Sequence, residues 1–314
     1  MERINDTISR ITNKKNFQER YEAIRKEILQ HPEVQAFLND HHGEITSSMI
    51  DRSLGKLYEF ITQAKNCRDC SSLEECNSII PGYEPKLVLK NDGIDVHYVP
   101  CRHKILADKK REAEKLIQCV HVPREILEAN FGDVTLETPG RIKAVKKAEQ
   151  FVEQYSDGHF QKGLYLYGPF GTGKTYLLGA IANALALKKV ASMIVYVPEF
   201  VRELKQSIHD HTLEEKINFV KQAPVLMFDD IGAESMSSWV RDEVYGPILQ
   251  YRMLEKLPTF FTSNFSLRDL EHHLTYTQRG EEEKLKAGRI IERIQFLAEP
   301  VNYDGPNKRF NMND

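Results

Sequence analysis

Residues 163 to 186 constrain the fold more than any other stretch. Gly163-Leu-Tyr-Leu-Tyr167 is an apolar run of strand length. Gly168-Pro169-Phe170-Gly171-Thr172-Gly173-Lys174-Thr175 follows directly, and Tyr176-Leu-Leu-Gly-Ala-Ile-Ala-Asn-Ala-Leu-Ala186 then reads as a helix. The loop fits G-x-x-x-x-G-K-[ST], in which glycines let backbone N–H groups turn inward around phosphate oxygens and the helix N-terminus adds partial positive charge. In that arrangement Lys174 reaches the β- and γ-phosphates, the Thr175 hydroxyl ligates Mg²⁺, and the loop from Gly168 through Tyr176 surrounds the nucleotide. A Gly-rich turn without nucleotide is the alternative, and the strand–loop–helix context makes it the weaker one.

Met193-Ile-Val-Tyr-Val197, Val225-Leu-Met-Phe228 and Thr259-Phe-Phe-Thr262 are further apolar runs with helical segments between them. From Pro123 onward this alternation predicts an α/β domain, a parallel sheet with helices on both faces. The run at 225 ends in Asp229-Asp230, which brings two carboxylates to the strand end where Mg²⁺ would sit. Asp229 is assigned to magnesium, through water, and Asp230 to polarising the attacking water; a solvated acidic turn is the competing reading. The run at 259 leads to Asn264, whose amide can hold a water or the γ-phosphate, while Ser266 suits a helix N-cap. Arg289 and Arg293 are four apart and share a helix face. One can reach a neighbouring copy's γ-phosphate, or the helix is simply exposed and amphipathic. Lys308-Arg309 offers a further cation or a basic tail.

The chain has 314 residues, enough for about two domains. Before the α/β part, Phe17, Tyr21, Ile24, Ile28 and Leu29 recur at helical spacing. His31-Pro32 breaks that helix, and Pro32 opens a second with Val34, Phe37 and Leu38 on one face. A third is expected from near Ser48 to Lys65. Lys86–Lys90 and Ile94–Tyr98 flank Asn91-Asp92-Gly93, a hairpin signal. The charged stretch His103–Lys115 reads as a helical linker. The expected division is residues 1–106, a linker over 107–130, and a domain over 131–314.

No apolar run approaches bilayer length and the polar start does not resemble a signal peptide, so a cytosolic location is expected. The five cysteines then read as metal ligands or free thiols before disulfides. Cys67, Cys70, Cys76 and Cys101 are the proposed zinc ligands, with His97 and His103 competing and free structural thiols as the alternative. Cys119, in an apolar stretch read as helical, is expected to be buried. With a net charge of −3, any nucleic-acid contact must come from a local basic surface.

GPFGTGKT, VLMFDDIG, the strand ending in TSN and the late arginine pair resemble the AAA+ ATPases of the DnaC/DnaI/IstB clade. Tyr196-Val-Pro-Glu-Phe-Val-Arg-Glu-Leu204, Ile231–Val244 and the cysteine-bearing N-terminal part are similar to its DnaI-type helicase loaders, so the resemblance spans the chain. It implies an N-terminal domain that grips a hexameric DnaB-type replicative helicase. It also implies an AAA+ domain that binds ATP, Mg²⁺ and single-stranded DNA and self-oligomerises, with other primosome proteins as further partners. By motif position it implies Walker A roles for Lys174 and Thr175, Walker B roles for Asp229 and Asp230, and sensor 1 for Asn264. Arg293 would be the arginine finger with Arg289 beside it, and Arg309 a sensor-2-like arginine. Arg202 and Lys205 would be phosphate contacts for DNA, with an ordinary exposed helix as the equal alternative.

The chain departs from the family pattern in three places. Asp-Asp replaces the Asp-Glu of many AAA+ motors, so weak, stimulated hydrolysis is expected. Little chain follows Asn264, so the helical lid should be reduced. Glu84 stands where the family can have a histidine ligand, a place Cys76 would fill. An IstB-like transposition ATPase and an adaptor that hardly turns over its nucleotide are the competing functions.

Overall fold

Three buried clusters organise the described residues, one among the N-terminal helices and hairpin and one on each face of a C-terminal sheet. The structure is a computed structural model. It describes residues 19–68, 70–91, 93–156, 158–208, 210–234, 237–276 and 282–308. These fall into two units, Met1–Lys109 and Lys110–Asp314.

The first unit joins three helices to a hairpin. Helix α1 ends at residue 30, α2 is Pro32–Asp40 with proline in its first turn, and α3 is Ser47–Arg68. Strands β1 (Tyr83–Lys90) and β2 (Gly93–Pro100) pair antiparallel from Lys90–Gly93 to Tyr83–Pro100. Ile28, Val34, Leu54, Leu57, Phe60, Ala64 and Ile94 form the core. Phe17, expected on α1, and Asp92, in the turn, lie outside the described residues. Helix α3 runs three residues past the expected Lys65, which takes Cys67 into its last turn. Of the stretch expected as a linker, residues up to Leu116 belong to α4 (Arg102–Leu116), and Ile117–Val120 forms β3 in the sheet of the second unit. Cys119 therefore sits half-buried on a strand, not buried on a helix. Pairing with Ser192–Val195 fixes it as extended, which no local period announces.

The second unit is a six-stranded parallel sheet in the order β3-β5-β6-β7-β4-β8. Its strands are β4 (Gly163–Tyr167), β5 (Ser192–Tyr196), β6 (Val225–Asp229), β7 (Thr259–Ser263) and β8 (Ala298–Asn302) besides β3. Helices α5 (Pro139–Gln154) and α6 (Lys174–Leu187) supply Phe151, Leu177, Leu178, Ile181 and Leu185 to one face. Helices α7 (Val197–Ser207), α8 (Leu213–Lys221), α9 (Gly246–Leu254) and α11 (Lys284–Leu297) supply Leu204, Val220, Ile248 and Ile294 to the other. Covering both faces is why the inner strands are apolar without alternation. Val197, expected at the end of a strand, instead opens α7. Pro198 explains this, because it cannot donate to a ladder but suits a first helical turn.

Beyond β7 the chain forms α10 (Leu267–Thr275), whose N-cap Ser266 accepts from Asp269 N, then α11 and β8. Since β8 returns to pair with β4, the described residues contain no separate helical lid. Strand β4 lies between β7 and β8, and β6 lies on the far side of β7. The loop after β4 and the carboxyl ends of β6 and β7 therefore meet at one edge of the sheet. Among the described residues no helix is long and apolar enough to cross a membrane.

Candidate nucleotide site

A cleft of about 720 Å³ opens at this edge. The loop Gly168–Thr175, Tyr176, Asp229, Asp230, Thr262 and Asn264 contribute to its walls. Gly173 caps α6 with φ +90°, and Gly171 has φ +73°, conformations that L side chains rarely adopt. Phe170 is 66% exposed at the loop tip.

The candidate side chains form one network. Lys174 Nζ donates to Gly168 O (2.9 Å), Pro169 O (2.8 Å) and Asn264 Oδ1 (3.0 Å). Asn264 Nδ2 donates to Asp230 Oδ1 at 2.9 Å, so this amide joins the loop lysine to the second acid. Thr175 Oγ1 lies 2.8 Å from Asp229 Oδ1 and 3.0 Å from Oδ2. Burial pushes the Asp229 carboxyl above its ordinary range; hydroxyl donors Thr262 and Thr175 and the Lys174 charge oppose this, and Asp230 adds to it. A hydroxyl and a carboxylate side by side are hard oxygen donors of the kind magnesium takes.

Three neighbours carry no signal in their local sequence. Thr262 Oγ1 donates to Asp229 Oδ1 at 2.6 Å and accepts from Asp230 N at 2.8 Å, so one hydroxyl ties both acids. It holds Asp230 at φ +61°, in the left-handed region. Glu234 is buried and accepts from Gly232 N at 2.8 Å and from the Tyr245 hydroxyl. Arg141, on α5, reaches Thr172 O in the loop. A following strand end, a turn glutamate and a helix arginine become recognisable only when the fold gathers them.

The remaining candidates lie elsewhere. Arg289 is exposed on α11, and Arg293, half-buried, donates Nη1 to Gly246 O at 2.9 Å; the cleft lining does not include either of them. Burial, then Arg289, pushes the Arg293 guanidinium below its usual range. Arg309 lies outside the described residues, whereas Lys308 lines the cleft. Arg202 is exposed on α7 and ion-paired with Glu199 at 3.0 Å, and Lys205 is exposed on the same helix.

In the first unit, Cys67, Cys70, Cys76 and Cys101 are half-buried free thiols. Burial, then the Cys76, Cys101 and Cys70 thiols, pushes Cys67 up, while the Gly82 and Ser78 backbone N–H groups pull Cys76 down. The other three are thus within electrostatic reach of Cys67. Yet among the described residues no three His, Cys, Asp or Glu side chains are arranged as a metal shell. The expected zinc site is therefore unsupported by the side-chain arrangement. Glu84 pairs with Lys86 at 3.6 Å and adds to the field on Cys67; His97 is exposed on β2, and His103 lies in the first turn of α4.

Residues 1–98 match the family model "Primosomal protein DnaI N-terminus", and residues 137–253 match "Bacterial DnaA ATPAse domain". The chain is 50% identical over 309 residues to the replicative helicase loader DnaI of Bacillus subtilis (strain 168), covering 98% of this chain and 99% of that protein. A crystal structure of DnaI, 58% identical, superposes on 63% of this chain and all of its own with a TM-score of 0.57. A crystal structure of the DnaC helicase loader, 23% identical, covers 58% of this chain and all of its own at a TM-score of 0.50, a likeness of fold alone.

Proposed function

The chain belongs to the DnaI family of replicative helicase loaders, and from that premise we propose that it binds ATP and Mg²⁺ in this cleft to time the placing of a hexameric replicative helicase on single-stranded DNA. Loading the replicative helicase in DNA replication is the function of the family. The observation that carries the reading is the Lys174–Asn264–Asp230 connection beside Thr175–Asp229, in a chain that aligns end to end with a loader.

When nucleotide enters, Lys174 exchanges the Gly168 and Pro169 carbonyls for phosphate oxygens. Thr175 and Asp229 supply the donors for magnesium, which when bound neutralises charge developing on the phosphates. Asp230 orients the attacking water, and Asn264 reports whether Lys174 has moved. The shorter Asp230 side chain favours slow, regulated hydrolysis. Arg289, exposed on α11, is the cation we assign to a neighbouring copy's phosphates, with Arg293 behind it as a structural partner. Arg202 and Lys205 are candidate DNA contacts. A zinc ion on Cys67, Cys70, Cys76 and Cys101 would suit the donor chemistry of four thiols and would staple the loop between α3 and β1. The cytoplasm is the compartment where these partners meet.

The test uses the full chain, the hexameric helicase of the same organism and circular single-stranded DNA. Wild type should co-elute with the helicase and load it with ATP, while Asp230→Ala should co-elute but stall. Unchanged loading by Asp230→Ala would make the nucleotide a structural ligand. Absence of co-elution would remove the partner assignment.

A further inference from the structure

The phosphate loop has a flank that these roles leave unused, where Arg141 and Lys308 contribute to the cleft wall. For its N–H groups to face a nucleotide, its carbonyls must turn away and find donors behind. Gly168 O and Pro169 O are satisfied by Lys174, which leaves them for phosphate. Two later carbonyls are held from outside the loop. Thr172 O accepts from Arg141 Nη1 at 2.6 Å, and Gly171 O accepts from Lys308 N at 2.8 Å.

Arg141 is 3% exposed. Its other hydrogen bonds also go to neutral oxygens, Nε to Thr135 O at 2.8 Å and Nη2 to Thr135 Oγ1 at 3.2 Å. The guanidinium lies 4.8 Å over the Tyr303 ring. Glu137, within its field, is already paired with Lys308 Nζ at 2.5 Å. The segment 303–308 forms a strap along the same flank. Tyr303 N donates to Tyr167 O at 2.7 Å, and Asp304 Oδ1 accepts from Thr138 Oγ1 at 2.6 Å. Asn307 packs so closely on the loop that a Cβ at Gly171 would lie 2.0 Å from its Oδ1.

We propose that Arg141 and the strap Tyr303–Lys308 brace the phosphate loop through its Thr172 and Gly171 carbonyls, so that nucleotide binding and seating of the strap depend on each other. Arg141 acts as a positioning residue. Its buried charge, hydrogen-bonded among the described residues to neutral oxygens, is offset when polyphosphate fills the loop. Coupling is reciprocal, so a strap that raises nucleotide affinity is itself held down by nucleotide. The inference rests on the ATP reading.

The experiment uses the full chain. Trypsin cleavage after Lys308 is followed by intact mass, with and without saturating Mg²⁺ and a non-hydrolysable ATP analogue. A fluorescent ATP analogue is titrated against wild type, Arg141→Lys and Arg141→Gln. In wild type, nucleotide should slow the cleavage roughly fivefold or more, the usual scale of coupled sites. Arg141→Gln should bind the analogue roughly 10- to 100-fold more weakly, the weight of a lost charge-assisted hydrogen bond, with Arg141→Lys recovering part of it. At saturating nucleotide Arg141→Gln should show no slowing. Cleavage in wild type that ignores nucleotide, or unchanged affinity in Arg141→Gln, would overturn the brace. Slowing retained in Arg141→Gln would mean direct shielding of Lys308 and overturn it too. If Arg141→Gln does not fold, the wild-type and Arg141→Lys arms decide. No binding by wild type would instead remove the ATP reading itself.

Discussion

Glu234 illustrates how single residues behave in this fold. Burial pushes its carboxyl above the ordinary range, the Tyr245 hydroxyl and the Gly232 N–H oppose that, and Asp230 adds to it. Between the unfolded and the raised folded value the native state binds more protons, so stability falls as pH rises through that window and levels off above it. Glu234→Gln keeps one acceptor oxygen for the Gly232 N–H, presents an amide donor to the Tyr245 oxygen, and removes the buried charge. The variant should melt higher than wild type at neutral pH, and the gap should close as pH falls toward the ordinary carboxylate range; parallel melting curves at every pH would contradict this. Lys174, Thr175, Asp229 and Asn264 were legible because each stands at a fixed offset from a strand or a glycine pattern. Thr262, Glu234 and Arg141 were not, because nothing in their local spacing says that a hydroxyl will lie between two acids or that a guanidinium will back a carbonyl.

At the scale of elements, long segments with buried faces read clearly. Helix α3 and the P-loop strand and helix follow their hydrophobic periods. The two outermost strands did not: β3 is four residues long, and β8, Ala298-Glu-Pro-Val-Asn302, has exposed positions and a proline. Edge strands cover one side only, so they lack the continuous apolar run of the inner strands. In the first unit a buried hydroxyl on α3 helps to fasten the hairpin, beside the Tyr98–Glu59 hydrogen bond. Ser53 Oγ accepts from Ile94 N at 2.8 Å, and Ser53 is 5% exposed. Ser53→Ala leaves that N–H unsatisfied and should cost about 1–3 kcal/mol of the first unit's stability. Denaturant melts that follow the two units separately would test it, and an unmoved first transition would count against the fastening.

At the scale of the molecule, each unit has its own core, so the chain should lose them one at a time. If zinc ties the four thiols, a strong chelator should lower only the transition of residues 1–109 and leave ATP-analogue affinity intact. A calorimetric trace indifferent to the chelator, with no zinc in the purified protein, would leave the thiols free. By itself the sequence determined the α/β class, the P-loop with its Lys174 and Thr175, and the acids and amide at the strand ends, because these depend on local period and fixed spacing. Only the tertiary structure decided that Thr262 joins the two acids, that β8 returns to the sheet, and that residues 141 and 308 each hold a carbonyl of the phosphate loop. Such meetings depend on strand order and packing between segments far apart in the chain, and no local pattern encodes them.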